Sequence, residues 1–275
     1  MSSANRDDVY SQSGAYSPGR VFITGVSSGI GEALSELYLQ RGYTVYGTSR
    51  RQPFRFSGNP NFRFRAFDLS KLNDIGELFA GDLADVIKHG VDLFFLNAGV
   101  SGNVPARSEE FTLEELQHVL AVNVLANKAI MDLMLASKHR PLACVLSASM
   151  AGLRFRAGTL PYSMSKAALS ALGGVYAEEN KDIFFAVLGL CNVNTSLSRQ
   201  VTFSTRTADF PDLKSLQQRA LSPGYMISPA QRANDIVSVI NAPDEYGVES
   251  GKFVDMRAAL AKYTQKKKSS TLSQA

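Results

Sequence analysis

The chain has 275 residues, 45% hydrophobic and 20% charged, enough to bury a full core in one α/β domain. Its net charge of +4 is mild, its two cysteines (Cys144 and Cys191) make no disulfide framework, and His89, His118 and His139 stand too far apart in sequence to suggest a metal site. No nucleic-acid partner, no metal and no membrane span are expected, so a cytoplasmic location is the default.

Residues 1–19 are rich in Ser, Asn, Asp and Gly without hydrophobic period and read as a flexible extension ahead of a single domain over 20–258. The apolar strand Val21-Phe22-Ile23 runs into Thr24-Gly25-Val26-Ser27-Ser28-Gly29-Ile30-Gly31 and then an amphipathic helix bearing Leu34, Leu37 and Tyr38. Strand, glycine turn and helix is the layout that sets a pyrophosphate on a helix N-terminus. A second strand over 43–48 ends at Ser49-Arg50-Arg51, where a dinucleotide fold meets the adenosine ribose. A third over 62–67 leads to Asp68 and Leu69, a helical pattern covers 72–88, and a buried fourth strand over 91–96 closes on Asn97-Ala98-Gly99. This alternation predicts an α/β, Rossmann-like doubly wound parallel sheet of about seven strands with helices on both faces.

Thr112 and Glu115 form a capping-box pattern for a helix that continues to about Ser137. It carries Asn123 inside an apolar run, where an asparagine is usually a satisfied core amide. Strand Cys144-Val145-Leu146 leads to Ser147 and Ser149, and the next helix carries Pro161-Tyr162-Ser163-Met164-Ser165-Lys166. Tyr162 and Lys166 lie one turn apart on one face, so the ammonium favours the phenolate and brings the phenol into working range as a proton donor or acceptor. Between them and Ser149, Leu153, Phe155 and Leu160 alternate with Arg154 and Arg156, which suggests an apolar pocket with a basic, anion-binding rim. A sixth strand over 183–190 leads to Cys191-Asn192-Val193-Asn194-Thr195. Residues 196–228 show no strong period except over 213–221 and are read as a substrate flap. Ser228-Pro229 starts a helix, 252–254 is a last strand, and 259–275 is read as a polar tail.

Together these positions resemble the short-chain dehydrogenase/reductase family across about 20–256. The T-G-x-x-x-G-x-G pattern is met by Thr24, Gly25, Gly29 and Gly31, the acidic residue after the third strand by Asp68, and N-A-G by Asn97, Ala98 and Gly99. The family's catalytic asparagine, serine, tyrosine and lysine fall on Asn123, Ser149, Tyr162 and Lys166, with Ser147 a rival serine. One departure is that Leu190-Cys191 replaces the family's Pro-Gly after the sixth strand, while Val193 and Thr195 remain to meet the nicotinamide carboxamide. The resemblance implies hydride transfer between a nicotinamide and a small-molecule carbonyl or alcohol. Tyr162 would be general acid/base, Ser149 would bind the substrate oxygen, Lys166 would hold the ribose, and Asn123 would position a water. Ser27, Ser28, Ile30 and Leu69 would join the cofactor site, and a homodimer or homotetramer is implied. The absence of an acid at Ser49, followed by Arg50 and Arg51, predicts NADP(H). The competing reading is a catalytically idle dinucleotide-binding module.

Overall fold

The structure is a computed structural model that describes residues 19–272. The extension expected over 1–19 therefore lies almost wholly outside the described residues. Seven strands form one parallel sheet in the order β3-β2-β1-β4-β5-β6-β7. They are β1 (Arg20–Thr24), β2 (Thr44–Ser49), β3 (Phe62–Ala66), β4 (Leu93–Leu96), β5 (Ala143–Ala148), β6 (Phe184–Gly189) and β7 (Phe253–Asp255). The helices are α1 (Gly29–Gln40), α2 (Ile75–Leu78), α3 (Ala84–His89), α4 (Leu113–Leu120), α5 (Ala126–Leu135), α6 (Leu160–Glu179), α7 (Ser196–Thr202), α8 (Pro211–Ala220), α9 (Pro229–Asn241), α10 (Pro243–Tyr246) and α11 (Met256–Leu272).

The strands read as near-continuous apolar runs because both faces are covered. Phe22, Phe94, Leu146 and Val187 point into one core layer with Ile130 and Leu169, while Ile23, Phe95, Val145 and Leu188 point into the other with Leu34 and Ile236. The chain order reverses between β1 and β4, and a crevice at the carboxyl ends of the strands follows from that reversal.

Four sequence expectations change. The single helix expected over 72–88 is two short helices, α2 and α3, separated where Gly81 takes φ +57. The capping box at Thr112 is half present: Thr112 Oγ1 accepts from Glu115 N–H at 3.2 Å, but the Glu115 carboxylate accepts from Asn103 N–H at 2.6 Å instead. The flap is helical rather than irregular, because caps start each turn: Thr195 and Ser198 box the first turn of α7, Ser204 caps a 3₁₀ turn over 205–209, and Pro211 opens α8. The polar tail is the helix α11, anchored by buried Met256 and Ala259 and by Tyr263 stacked on Tyr246 at 4.3 Å.

Helix Leu113–Leu135 is apolar and long enough to cross a membrane by length and composition, with half of its most apolar stretch buried inside the fold. Val119, Val122, Ile130, Met131 and Met134 on it are core residues.

Candidate active site

The glycine turn after β1 is built by close approach. A Cβ on Gly31 would stand 2.3 Å from the Gly25 carbonyl oxygen and 2.6 Å from Asn97 Nδ2, so α1 can begin there only with glycine. Thr24 ties this turn to the end of β4: its Oγ1 accepts from Asn97 N–H and Ala98 N–H, each at 3.0 Å, and its carbonyl accepts from Asn97 Nδ2 at 3.1 Å. Ser28 is the N-cap of α1 yet makes no side-chain cap, so its hydroxyl does not satisfy the first-turn amides of the helix. Ser27 is half-buried beside it.

Next along the crevice, Ser49 Oγ donates to the Arg51 carbonyl at 2.6 Å, and Arg50 and Arg51 are exposed. Neither guanidinium enters an ion pair among the described residues. Asp68 accepts from Ser70 N–H and Oγ at 3.0 and 2.8 Å, which holds its carboxyl below the usual range, with Arg50 adding to the effect. Leu69 is buried behind it.

The catalytic candidates converge from three elements. Gly152 fixes the register between two of them, because a Cβ there would lie 2.6 Å from the Lys166 carbonyl carbon and the Ala167 nitrogen. The Ser149 turn therefore seats directly on the α6 backbone, and the Ser149 hydroxyl meets the Tyr162 phenol. Ser149 Oγ also accepts from Ala151 N–H at 3.1 Å. Lys166 is 4% exposed and reaches under Tyr162: its Nζ lies 5.5 Å from the ring centroid and donates to the Ser147 carbonyl at 2.7 Å. Ser147, the rival serine, holds Lys166 through its backbone, while its own hydroxyl turns to Asn97 Oδ1 at 3.4 Å.

Asn123 occupies a π turn, residues Ala121–Leu125, between α4 and α5. π turns recur at functional sites because the wider turn redirects a side chain. Here Asn123 Nδ2 donates to the Val100 carbonyl and to Ser165 Oγ at 2.8 and 2.9 Å, and Oδ1 accepts from Val100 N–H at 2.8 Å. Its amide is thus a satisfied core amide that clamps the Gly99–Val100 backbone. A Cβ on Gly99 would lie 3.3 Å from Asn123 Oδ1 and 3.6 Å from Lys166 Nζ, so this clamp borders the lysine. Ser165 and Asn127 belong to the same network, with Asn127 Nδ2 donating to the Asn123 carbonyl at 2.8 Å. Both escape a sequence reading, because nothing in their spacing distinguishes them from ordinary helix residues.

Electrostatics here run against one expectation. Burial pushes the Tyr162 phenol up, and the Ser149 hydrogen bond pulls it only partly back. The expected lowering by Lys166 does not outweigh this, and burial also brings the Lys166 ammonium down to about 8.

On the far side of the crevice, Val193 is 2% exposed and bridges to Ile227, and Thr195 Cγ2 lies 3.1 Å from where a Gly29 Cβ would be. The segment after β6 therefore overhangs the glycine turn. Cys191 takes φ +59, the left-handed conformation a glycine would adopt, so replacing the family's glycine leaves that backbone shape in place. Loop 153–159 departs from the alternation expected of it. Leu153 and Phe155 are 56% and 72% exposed, whereas Arg156 is half-buried with an Nε that has no hydrogen-bond partner.

The sequence pattern of the short chain dehydrogenase family matches residues 20–202. A NADPH-dependent 3-dehydrocapnine reductase of Ornithobacterium rhinotracheale is 31% identical over 160 residues, which span 54% of this chain and 56% of the relative. An uncharacterized oxidoreductase of Listeria innocua is 27% identical over 243 residues, 83% of this chain and 92% of the relative. A solved short chain dehydrogenase family protein of Francisella tularensis superposes with a TM-score of 0.71 at 20% identity, covering 87% of this chain and 97% of that one.

Proposed function

Since this chain belongs to the short chain dehydrogenase family of oxidoreductases, we propose that it reduces a small-molecule carbonyl, or oxidises the matching secondary alcohol, with NADP(H). The observation that carries this reading is the convergence of Ser149, Tyr162 and buried Lys166 at the end of β5, opposite the glycine turn after β1.

The cradle fits a dinucleotide. Gly31 leaves the backbone bare where a side chain would block it, the first-turn amides of α1 are uncapped, and Arg50 and Arg51 hold open charge where a 2′-phosphate would sit. Thr24, Gly25, Ser27, Ser28, Gly29, Ile30 and Gly31 would line the diphosphate, and Ser49, Arg50 and Arg51 the phosphorylated ribose. Asp68 and Leu69 would flank the adenine, with Asn97, Ala98 and Gly99 beneath the second ribose and Val193 and Thr195 at the carboxamide. When bound, the dihydronicotinamide supplies a hydride to the carbonyl carbon.

The chain's own groups supply the rest. Tyr162 holds a proton on Oη and delivers it to the carbonyl oxygen, and burial keeps that proton in place at neutral pH. Ser149 Oγ donates to the same oxygen, where negative charge develops. Lys166, fixed by the Ser147 carbonyl, would offer its remaining N–H donors to the nicotinamide ribose and Tyr162. Asn123 holds the Gly99–Val100 backbone that borders Lys166. A cytoplasmic homodimer or homotetramer accompanies this reading, with Leu125, Met164 and Val175, each 43% or more exposed on α6 and the π turn before α5, available to a second copy.

The test is a panel of aldehydes, ketones and keto acids incubated with NADPH, followed by loss of its absorbance. Turnover of any member supports the reading. Failure of the entire panel, by protein shown to bind NADPH, would sink it in favour of an idle dinucleotide-binding module.

A further inference from the structure

The geometry points to Arg156 as the anchor of an anion subsite between the loop after Ser149 and flap helix α8, which selects carbonyl substrates bearing a carboxylate, sulfonate or phosphate. This rests on the reductase reading above and names the substrate class for that site.

Arg156 sits on the loop that joins the Ser149 turn to α6, six residues before Tyr162. Loop apolar groups ordinarily turn inward and charges outward, yet here the order is inverted. Leu153 and Phe155 face solvent while Arg156 turns in, and its Nε is buried without a partner. A buried N–H left without a partner is costly, and an incoming acceptor at the guanidinium edge would satisfy it. The guanidinium feels Arg154 and Arg219 as like charges, and Asp212 and Tyr225 as the opposing groups. Burial disfavours the Arg156 cation most, and Arg154 and Arg219 add to that as like charges against the single carboxylate of Asp212. Asp212 and Arg219 both lie on flap helix α8, and Arg219 Nε is spent on Tyr225 Oη at 3.2 Å.

The flap is fastened over this loop. A Cβ on Gly158 would stand 3.1 Å from the Phe210 ring, Arg206 pairs with Glu110 at 2.9 Å, and Gln200 donates to the Gly102 carbonyl at 3.2 Å. An anion between the loop and α8 would therefore sit in a partly water-excluded place. There a planar guanidinium grips a carboxylate, sulfonate or phosphate through paired N–H donors.

The experiment compares 4-oxopentanoate with its methyl ester, and likewise a set of keto acids and keto esters, in the parent and in Arg156→Gln. The parent should favour the acids by about ten- to hundredfold in kcat/KM, and the variant should bring the acid-to-ester ratio to near one. Because Arg156 is partly buried, Arg219→Gln and Asp212→Asn carry the same test from the exposed face of α8. The first should lower the ratio and the second raise it. An unchanged ratio in all three, or a parent that prefers esters, overturns the subsite. If the parent reduces nothing, the reductase reading has failed and calorimetric titration with 4-oxopentanoate decides the subsite separately. Heat in the parent that is lost in Arg156→Gln supports it, and no heat in the parent overturns it.

Discussion

Cys191 donates its thiol to Asp255 Oδ1 at 3.0 Å while its backbone stands at φ +59. The bond helps keep a side chain in a conformation that L residues avoid, a place where strain of about 1–3 kcal/mol is stored. Burial alone would raise the Asp255 carboxyl, but Arg257 and the Cys191 thiol outweigh it and hold the group at about 2.

Cys191→Gly should therefore stay within about 1 kcal/mol of the parent in urea unfolding, the relief of strain offsetting the lost thiol contact. Cys191→Val, branched at Cβ, should lose about 1–3 kcal/mol. Equal unfolding midpoints for the two variants would contradict a left-handed backbone at this residue.

Lys166 makes stability depend on pH in a defined direction. Folded, it gives up its proton near 8, and unfolded near 10.5, so between these values the unfolded chain binds more protons and stability rises with pH. The cost of burying the cation is borne in full below about 8. Lys166→Met removes the charge and keeps the bulk, so it should abolish turnover and flatten the rise of stability over that window. A parent whose urea midpoint does not climb relative to Lys166→Met from neutral pH to 10.5 would refute the buried cation.

Tyr162→Phe should remove nearly all turnover and leave NADPH affinity almost intact, since the ring stays and only the proton carrier goes. In the parent, a phenol raised by burial keeps its proton through the neutral range, so carbonyl reduction should be flat there while alcohol oxidation climbs with pH. Initial rates in both directions across pH check the two signs. Oxidation that falls with rising pH would contradict the role.

Arg50→Ala should weaken NADPH by about ten- to hundredfold and leave NADH nearly unchanged, the value of a charge-assisted contact to phosphate. Direct titration of both cofactors measures it. Equal affinity of the parent for the two would end the NADP(H) assignment.

The sheet was legible because strands covered on both faces are apolar runs between glycines and polar turns, as in Val21-Phe22-Ile23 and Leu93-Phe94-Phe95-Leu96. The convergence of Ser149, Tyr162 and Lys166 was legible for a related reason: all three lie on consecutive elements whose contact is forced by Gly152. What stayed hidden depends on backbone choices or distant partners. The break at Gly81 needs a positive φ that composition does not announce, and α7 and α8 are set by caps rather than by hydrophobic period. The partners of Asn123 at Val100 and Ser165 are 23 and 42 residues away. The inward turn of Arg156 reverses the order that alternation suggests.

The parallel bridge between Val193 and Ile227 is closed by Ile227 N–H to the Asn192 carbonyl at 3.0 Å and Asn194 N–H to the Ile227 carbonyl at 2.9 Å. It knots together the two ends of everything between them. Residues 194–226 therefore form a loop closed at its base, so the two ends of the flap stand on one footing. Val193, in that footing, is also the residue proposed for the nicotinamide end of the cofactor. A substitution that cuts the bridge should therefore disturb the flap and that end of the crevice together.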